Sequence, residues 1–162
     1  MSVFFEDVRL GAQAEIGSHT FTADDIIRFA SAWDPQPFHI DEAAAAESYF
    51  GGLIASGWHT ASIAMRLWVD HLDAERAAAM PAPGERQPQP GPSPGFREMK
   101  WPRPVRAGDT LRYSNRVIDK VELQSRPRWG LVRRRFSGVN QRGDEAISFV
   151  GQAFTERRSS TR

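Results

Sequence analysis

Residues 57–72 read GWHTASIAMRLWVDHL, and this stretch decides the fold of the 162-residue chain. Its apolar side chains recur every three or four positions, which is the spacing of a helix face. One stripe carries Trp58, Ala61, Met65, Trp68, Val69 and Leu72. Ile63 and Leu67 add apolar groups on another side. A helix that is apolar over most of its circumference is predicted to lie inside the protein.

The second half of the chain is predicted to supply the sheet that covers this helix. Apolar and polar side chains alternate over residues 111–117, and strand patterns also cover residues 129–139 and 145–155 around a turn at residues 141–144. Long strands joined by short turns indicate an antiparallel meander. The predicted class is therefore α+β, with a curved antiparallel sheet around one long central helix.

The chain is predicted to form a single domain over residues 1–162. Six prolines and three glycines lie within residues 81–95, so this stretch is interpreted as an irregular loop inside the domain. Before the central helix, residues 15–21 have the pattern of a short strand, and Thr22 is a predicted N-cap of a first helix.

Composition excludes several classes of function. There is no cysteine, so disulfides, thiolate nucleophiles and sulfur-based metal sites are impossible, and a cytoplasmic location is expected. The first residues are acidic where a signal peptide is basic, and no stretch has the roughly 18 uninterrupted apolar residues of a membrane span, so neither processing nor a membrane partner is expected.

The charge of the chain is unevenly distributed. The net charge is +1, but residues 1–80 carry 12 acidic and 4 basic side chains, whereas residues 81–162 carry 8 acidic and 17 basic ones. This asymmetry fits a phosphate-bearing partner or an electrostatic match between halves or subunits. No motif of a known nucleic-acid module accompanies it, so nucleic acid is not an expected partner.

The first candidate for chemistry is the run DPQPFH at residues 34–39. It places the carboxylate of Asp34 and the imidazole of His39 five residues apart on a loop that two prolines stiffen, and the preceding helix is predicted to deliver Asp34 at its carboxyl end. Asp41 is a predicted cap of a short alanine-rich helix that ends at Gly51, so His39 is expected to lie between two helices. The alternative is that Asp34 only opens a turn and that His39 is an ordinary packed side chain.

The second candidate is the glycine-rich segment at residues 51–57, which leads into the central helix. A helix amino terminus presents unpaired N–H groups and partial positive charge, so the Gly57 N–H is suited to stabilise an enolate-like transition state of a thioester, an effect worth roughly 3 kcal/mol per donor. The alternative is structural: Ser56 caps the helix and Gly57 allows tight packing. An acid/base pair beside such an amide suits the addition of water to a thioester-activated double bond, or its removal.

Other candidates are weaker. His59 lies in the first turn of the central helix and is expected to face either the cleft or the core. No His-Glu-x-x-His or comparable spacing is present, so no metal site is predicted. The Gly-x-Ser-x-Gly, Gly-x-Gly-x-x-Gly and Walker sequences are also absent. The side chains of Arg97, Lys100, Arg103 and Arg106 fit either the phosphates of coenzyme A or a solvated surface.

Three ordered motifs resemble those of the MaoC-like dehydratases, the (R)-specific enoyl-CoA hydratase branch of the hot-dog fold. They are DPQPFHID at residues 34–41, FGGLIASG at residues 50–57 and WPRPVRAGDT at residues 101–110. The similarity extends from about residue 21 to residue 154. The resemblance implies a sheet wrapped around a long central helix, a homodimer whose sheets join edge to edge or a dimer of such dimers, and an acyl-thioester tunnel near the subunit interface.

The same resemblance implies the roles of individual residues. Asp34 and His39 form the catalytic dyad, and the Gly57 amide is the oxyanion donor. The reaction is the addition of water to C3 of a trans-2-enoyl-CoA, or to the corresponding acyl-carrier thioester, to give the (R)-3-hydroxyacyl product, or its reverse, and no cofactor is expected. The residues expected at the substrate-binding surface are Ser56, Trp58, Phe38 and His59.

Two positions depart from the family pattern, and two other functions remain open. The family often has Asn where this chain has Gln36, and some of its hydratases place a serine where this chain has Met65. A free aspartate has a pKa of about 3.9 and is a poor base near neutral pH, so Asp34 is expected to be desolvated or coupled to His39. The alternative functions are an acyl-CoA thioesterase on the same fold, which would use the same helix amide, and a non-catalytic acyl-binding subunit.

Overall fold

The structure of the chain is a computed structural model that describes residues 3–79, 84 and 86–158. Its elements follow in the order 3-10 helix Phe5–Asp7, β1 Gln13–Thr20, α1 Ala23–Trp33, α2 Pro37–Ile40, α3 Glu42–Ala46, α4 Gly57–Ala78, β2 Gly95–Lys100, β3 Thr110–Glu122, β4 Trp129–Val139 and β5 Glu145–Glu156. Apart from β1, the helices precede the strands, as the sequence predicts.

All five strands form one antiparallel sheet in the order β1-β3-β4-β5-β2. β3, β4 and β5 are successive neighbours, so the predicted meander is confirmed. Each of the four strand pairings contains a register shift, and such irregularities bend strands and help a sheet to curve around a helix. The predicted fold class, the α+β hot-dog fold with a long helix against a curved sheet, is confirmed.

The sequence pattern does not predict β2, which pairs with the outer side of β5. In the described part of the predicted loop over residues 81–95, the chain forms no regular element before β2, and one isolated bridge links Pro90 to Thr155. The prediction for residues 81–83 and 85 lies outside the described residues. β1 and β2 are consequently the two edge strands of the sheet.

α4 packs on the sheet through small side chains. Ala61 and Ala64 belong to the core, and the hydroxyl of Tyr113 on β3 donates to the Thr60 carbonyl at 3.0 Å. The larger members of this core are Phe21, Ile26, Leu53, Leu111, Phe136, Ile147 and Phe149. Burial of each such side chain stabilises the fold by about 1.5–3 kcal/mol, so this contact fixes the position of the helix.

The other side of α4 is open. Trp58, Met65 and Val69 are 51%, 40% and 50% exposed. α4 is therefore less enclosed than its apolar pattern predicts, because a single sheet covers only one face of a helix. Although α4 has 22 residues, neither it nor any other described helix is apolar enough to cross a membrane.

The two predicted helix caps before α4 are present. Thr22 Oγ1 accepts a hydrogen bond from the Asp25 N–H (3.1 Å) at the start of α1. Asp41 Oδ1 accepts one from the Ala44 N–H (2.9 Å) at the start of α3. Each cap satisfies an N–H that the first turn of a helix leaves unpaired, so these two residues determine where the helices begin.

Two expectations about this region need correction. α3 ends at Ala46, well before Gly51. His39 lies within a one-turn helix of its own, α2, and not on a loop between helices. Pro37 favours this turn, because a proline at the first helical position has a suitable backbone angle and no N–H to leave unpaired.

Candidate active site

The structure brings the carboxyl group of Asp34 and the imidazole of His39 together. α1 ends at Trp33, and Asp34 follows as its C-cap. The backbone then turns sharply, because the Gln36 N–H donates to the Asp34 carbonyl (2.7 Å) and α2 begins directly afterwards. As a result, His39 Nε2 lies 3.4 Å from Asp34 Oδ2.

Two further hydrogen bonds hold the carboxylate of Asp34. Ser56 Oγ donates to Oδ2 (2.7 Å), and Gln36 Nε2 donates to Oδ1 (2.8 Å). The bond from Ser56 is the main reason that the pKa of Asp34 is lowered from its ordinary value; partial burial opposes it, and Gln36 and the positive charge that His39 carries when protonated also lower the pKa. The sequence predicts that Asp34 is desolvated or coupled to His39. Desolvation does not make it a better base, because its hydrogen bonds outweigh the effect of burial, whereas His39 does lie beside it. Asp34 is ionised at neutral pH and only accepts hydrogen bonds.

His39 is oriented by its other ring nitrogen. Nδ1 lies 2.8 Å from the carbonyl oxygen of Ile54. Because a carbonyl oxygen only accepts, Nδ1 carries the proton of the neutral ring, and Nε2 is an acceptor. The Ile54 N–H in turn donates to the Phe38 carbonyl (3.2 Å), so the backbone that orients the ring is itself held in place. Nε2 is therefore the ring nitrogen that faces Asp34 and is placed to exchange a proton at the site.

Ser56 joins this pair to the amino terminus of α4. Its Oγ donates to Asp34 and accepts from the Trp58 N–H (3.2 Å), so one hydroxyl caps the helix and holds the carboxylate. The N–H of Gly57, the first residue of α4, has no acceptor among the described residues. An unpaired donor at a helix amino terminus is suited to bind negative charge.

Packing explains why position 57 is a glycine. A Cβ at Gly57 would lie 2.6 Å from the ring of Trp101, and Trp101 Nε1 donates to the Gly57 carbonyl (3.0 Å). The structural alternative considered for Gly57 thus accounts for the residue type, while its N–H remains unpaired. Sequence reasoning missed this contact, although Trp101 opens the third of the three ordered motifs.

These groups line a single cavity of about 780 Å³. Asp34, His39 and Gly57 reach it, and so do Phe38 and Trp58, two of the four residues expected at the substrate-binding surface. Further lining residues that the sequence did not single out for this purpose are Gln36, Tyr49, Phe50, Thr60 and Trp101. The cavity therefore combines a polar end at the dyad with aromatic walls.

The other two expected substrate-binding residues lie elsewhere. Ser56 is fully buried and reaches the site only through its bond to Asp34. His59 faces the core and not the cleft: its ring stacks on Phe29 with the centroids 4.5 Å apart and meets Phe21 edge-on at 5.0 Å. Burial, with a smaller effect of a neighbouring histidine, lowers the pKa of His59 to about 4, so it is neutral at physiological pH. His59 is therefore left out of the proposed site.

The basic candidates divide into two groups. Arg103 and Arg106 line the cavity, whereas Arg97 and Lys100 lie on β2 outside it. Arg106 Nη2 donates to the Phe50 carbonyl (2.6 Å), which fixes its side chain across the glycine-rich segment. Within the described residues, no group of three or more His, Asp or Glu side chains is placed to hold a metal ion.

The family model described as MaoC like domain matches residues 10–130. The chain therefore belongs to the MaoC-like family of hydratases and dehydratases. A solved structure, the MaoC-like dehydratase from Rhodospirillum rubrum, is 36% identical, with a TM-score of 0.78 over 96% of this chain and 98% of that one.

Two curated relatives extend the comparison. The 3-hydroxybutyryl-CoA dehydratase of Methylorubrum extorquens is 28% identical over 127 residues, which are 78% of this chain and 71% of that protein. Protein MaoC of Klebsiella aerogenes is 29% identical over 153 residues, which are 90% of this chain and 42% of that protein. The chain spans less than half of the length of the first curated relatives it matches.

Proposed function

We propose that this protein is a hydratase/dehydratase that adds water to a trans-2-enoyl thioester of coenzyme A or an acyl carrier to give the (R)-3-hydroxyacyl thioester, or catalyses the reverse reaction. The observation that carries the proposal is the convergence of Asp34, His39 and Gly57 on one cavity of about 780 Å³. Family membership supports it, as does the similarity to a protein named as a 3-hydroxybutyryl-CoA dehydratase.

The low pKa of Asp34 and the hydrogen bond at His39 Nδ1 suggest a role for each member of the dyad. In the proposed reaction, a water molecule donates one hydrogen bond to the Asp34 carboxylate and one to His39 Nε2. Nε2 takes a proton from this water as the water oxygen bonds to C3, and the electrons of the C2–C3 double bond move onto the thioester oxygen. The imidazolium then returns its proton to C2, so that one water has been added and the dyad is restored. The charge of Asp34 stabilises the transient imidazolium.

The enolate needs a donor at the thioester oxygen, and we assign this role to the Gly57 N–H. It stands at the first position of α4, where the partial positive charge of the helix terminus adds to the hydrogen bond. One such donor is worth about 3 kcal/mol of transition-state stabilisation. The donor is a backbone group. Replacing Gly57 by a residue with a side chain would therefore disturb the packing against Trp101 without removing the N–H donor itself.

Hydration of crotonyl-CoA by the Asp34→Asn variant tests the proposal. The reaction is monitored through the loss of absorbance of the conjugated thioester. The substitution keeps the shape of the side chain but removes its charge, so kcat is expected to fall about 100-fold or more. Asp24→Asn, on the exposed side of α1, is the matched control and is expected to retain wild-type activity. Full activity of Asp34→Asn would remove Asp34 from the mechanism, and release of free thiol without hydration would indicate a thioesterase instead.

We further propose that the protein works as a homodimer. Phe96 on β2 is 52% exposed next to the open face of α4, and β2 is an edge strand with one side unpaired in the sheet. Pairing of two β2 strands would extend the sheet across both subunits and cover apolar surface that the chain alone leaves in water. Light scattering is expected to give twice the chain mass of 18.2 kDa, and a monomer at micromolar concentration would contradict the proposal.

A further inference from the structure

Arg134 lies on the face of the sheet that α4 covers. It stands on β4 between Val132 and Phe136, both of which are buried. Its Cζ lies 5.2 Å from the centre of the Trp68 ring on α4. Burial lowers the pKa of Arg134 to about 10, so the guanidinium is still charged at neutral pH. A full positive charge therefore lies half-buried between the helix and the sheet, against the ring of Trp68.

The chain does not neutralise this charge within its described residues. The two adjacent arginines on β4 do have partners: Arg133 pairs with Asp119, and Arg135 lies 3.8 Å from Glu145. No hydrogen bond or ion pair joins Arg134 to any described residue. An ion that is removed from water without a partner is costly, and buried charges in proteins are normally paired.

Carboxylates do lie on one side of Arg134, but they have other partners. Asp7 Oδ1 accepts a hydrogen bond from Arg158 (2.7 Å). Glu75 Oε1 lies 3.5 Å from His71 Nε2. Arg134 is therefore available for an anion that comes from outside the chain.

On its other side, Arg134 lines an apolar cavity of about 480 Å³ between α4 and the sheet. The helix contributes the stripe Trp58, Ala61, Met65 and Trp68 to this cavity. Trp58 also lines the cavity of the dyad, so its side chain forms a wall that the two cavities share at the first turn of α4. The helix advances about 16 Å from Gly57 to Trp68. An acyl chain whose thioester rests at the Gly57 N–H and that passes Trp58 would run along apolar side chains toward a guanidinium.

We propose that Arg134 binds a carboxylate at the far end of the acyl chain, so that the preferred substrate is a trans-2-enoyl thioester of a dicarboxylic acid. This inference rests on the proposed hydratase function. A guanidinium presents two parallel N–H donors that match both oxygens of a carboxylate, and the ring of Trp68 supports it from one side. A chain that ends in a methyl group leaves the charge unpaired, and sites with a desolvated polar group discriminate against ligands that lack its partner.

Paired substrates test the inference. Each trans-2-enoyl-CoA in a series of increasing chain length is compared with the ester of equal length that carries a carboxylate in place of the terminal methyl group. The wild type is expected to prefer the carboxylate ester at one length by about 100-fold in kcat/KM. Arg134→Met is expected to abolish this preference, and Arg134→Lys to retain part of it. Arg135→Met, which removes the adjacent and more exposed arginine, is the matched control and should keep the wild-type preference.

A binding measurement separates failure of this inference from failure of the hydratase proposal. Calorimetric titration with saturated acyl-CoA and ω-carboxyacyl-CoA of equal length needs no turnover, so a carboxylate preference that Arg134→Met abolishes supports the inference even without hydration. Equal binding and turnover of both esters by the wild type, or a preference that survives Arg134→Met, would overturn it and leave the hydratase proposal intact. A changed oligomeric mass in Arg134→Met with an unchanged preference would assign Arg134 to a subunit contact, which also overturns the inference.

Discussion

His39 and His59 are equally buried, at 4% and 5% exposed, and both lie close to the amino terminus of α4, yet their surroundings are opposite. Both ring nitrogens of His39 face oxygen atoms. The ring of His59 is packed between Phe21 and Phe29, and its Nδ1 has no hydrogen-bond partner among the described residues. Burial by itself does not identify a reactive histidine. The polar atoms around the two nitrogens do, because they decide whether the ring can gain and lose a proton.

The difference follows from which backbone groups each ring meets. His39 lies on a one-turn helix beside the extended segment that carries Ile54, so a free carbonyl is available to hold Nδ1. His59 belongs to α4, whose own carbonyls are used within the helix, and it projects toward apolar side chains of α1 and the core. The first environment favours proton transfer, and the second favours a ring that stays neutral until the pH approaches 4.

The largest expected effect is on catalysis. His39→Gln retains an amide that can reach the Ile54 carbonyl but has no group that takes up a proton, so kcat for crotonyl-CoA hydration is expected to fall about 1,000-fold, with little change in thermal stability. His59→Phe keeps a ring in the aromatic cluster, and its kcat is expected to stay within about 3-fold of the wild type. Comparable losses of activity in both variants would abolish the distinction between the two histidines.

The second expected effect is on stability and concerns His59. At neutral pH the ring is uncharged in both the folded and the unfolded state. As the pH falls below about 6.5, the unfolded chain gains a proton on this ring, whereas the folded chain does not until about pH 4. The free energy of unfolding is therefore expected to fall over this window, by about 2 kcal/mol at pH 4.5.

Urea unfolding at pH 7 and pH 4.5 measures this loss, and His59→Phe isolates it from the titration of other groups. The variant is expected to lose about 2 kcal/mol less than the wild type between the two pH values. Equal losses in the two proteins would mean that the protonated His59 is tolerated in the fold and that its aromatic environment does not exclude charge.

The contrast between the two histidines also shows where sequence reasoning ends. Asp34 and His39 could be placed together because they lie five residues apart and the intervening prolines restrict the backbone. The helical period puts His59 in the first turn of α4 but leaves open which neighbour covers that face. Its burial depends on the docking of α1 against α4, which is a contact between distant parts of the chain.

Sequence reasoning is limited in the same way for the hydrogen bonds that hold the active-site residues and for the strands of the sheet. The bonds from Ser56 to Asp34 and from Trp101 to Gly57 join residues 22 and 44 positions apart, and no local pattern encodes them. The alternation of buried and exposed side chains predicts β3. β4 and β5 have runs of consecutive buried residues, and their strand-forming composition on either side of the turn at residues 141–144 predicts them instead. β2 is an edge strand with almost every side chain exposed, so it lacks the alternation that would reveal it.

The smallest expected effect tests how far the surroundings of His39 depend on one hydroxyl. Ser56→Ala removes the hydrogen bond that contributes most to the low pKa of Asp34, so that pKa is expected to rise. Because the proposed reaction needs the ionised carboxylate, the acidic limb of the pH profile of kcat/KM should shift to higher pH, and the plateau should fall about 10-fold. The loss of the α4 cap should also lower the free energy of unfolding by about 1 kcal/mol.

Ser48→Ala, which removes a hydroxyl bonded to the Ala45 carbonyl at the end of α3, is the matched control and should lose stability without moving the acidic limb. An acidic limb that stays in place in Ser56→Ala would mean that the charge of Asp34 does not limit the reaction, and the polar surroundings of His39 would then explain its orientation but not its reactivity.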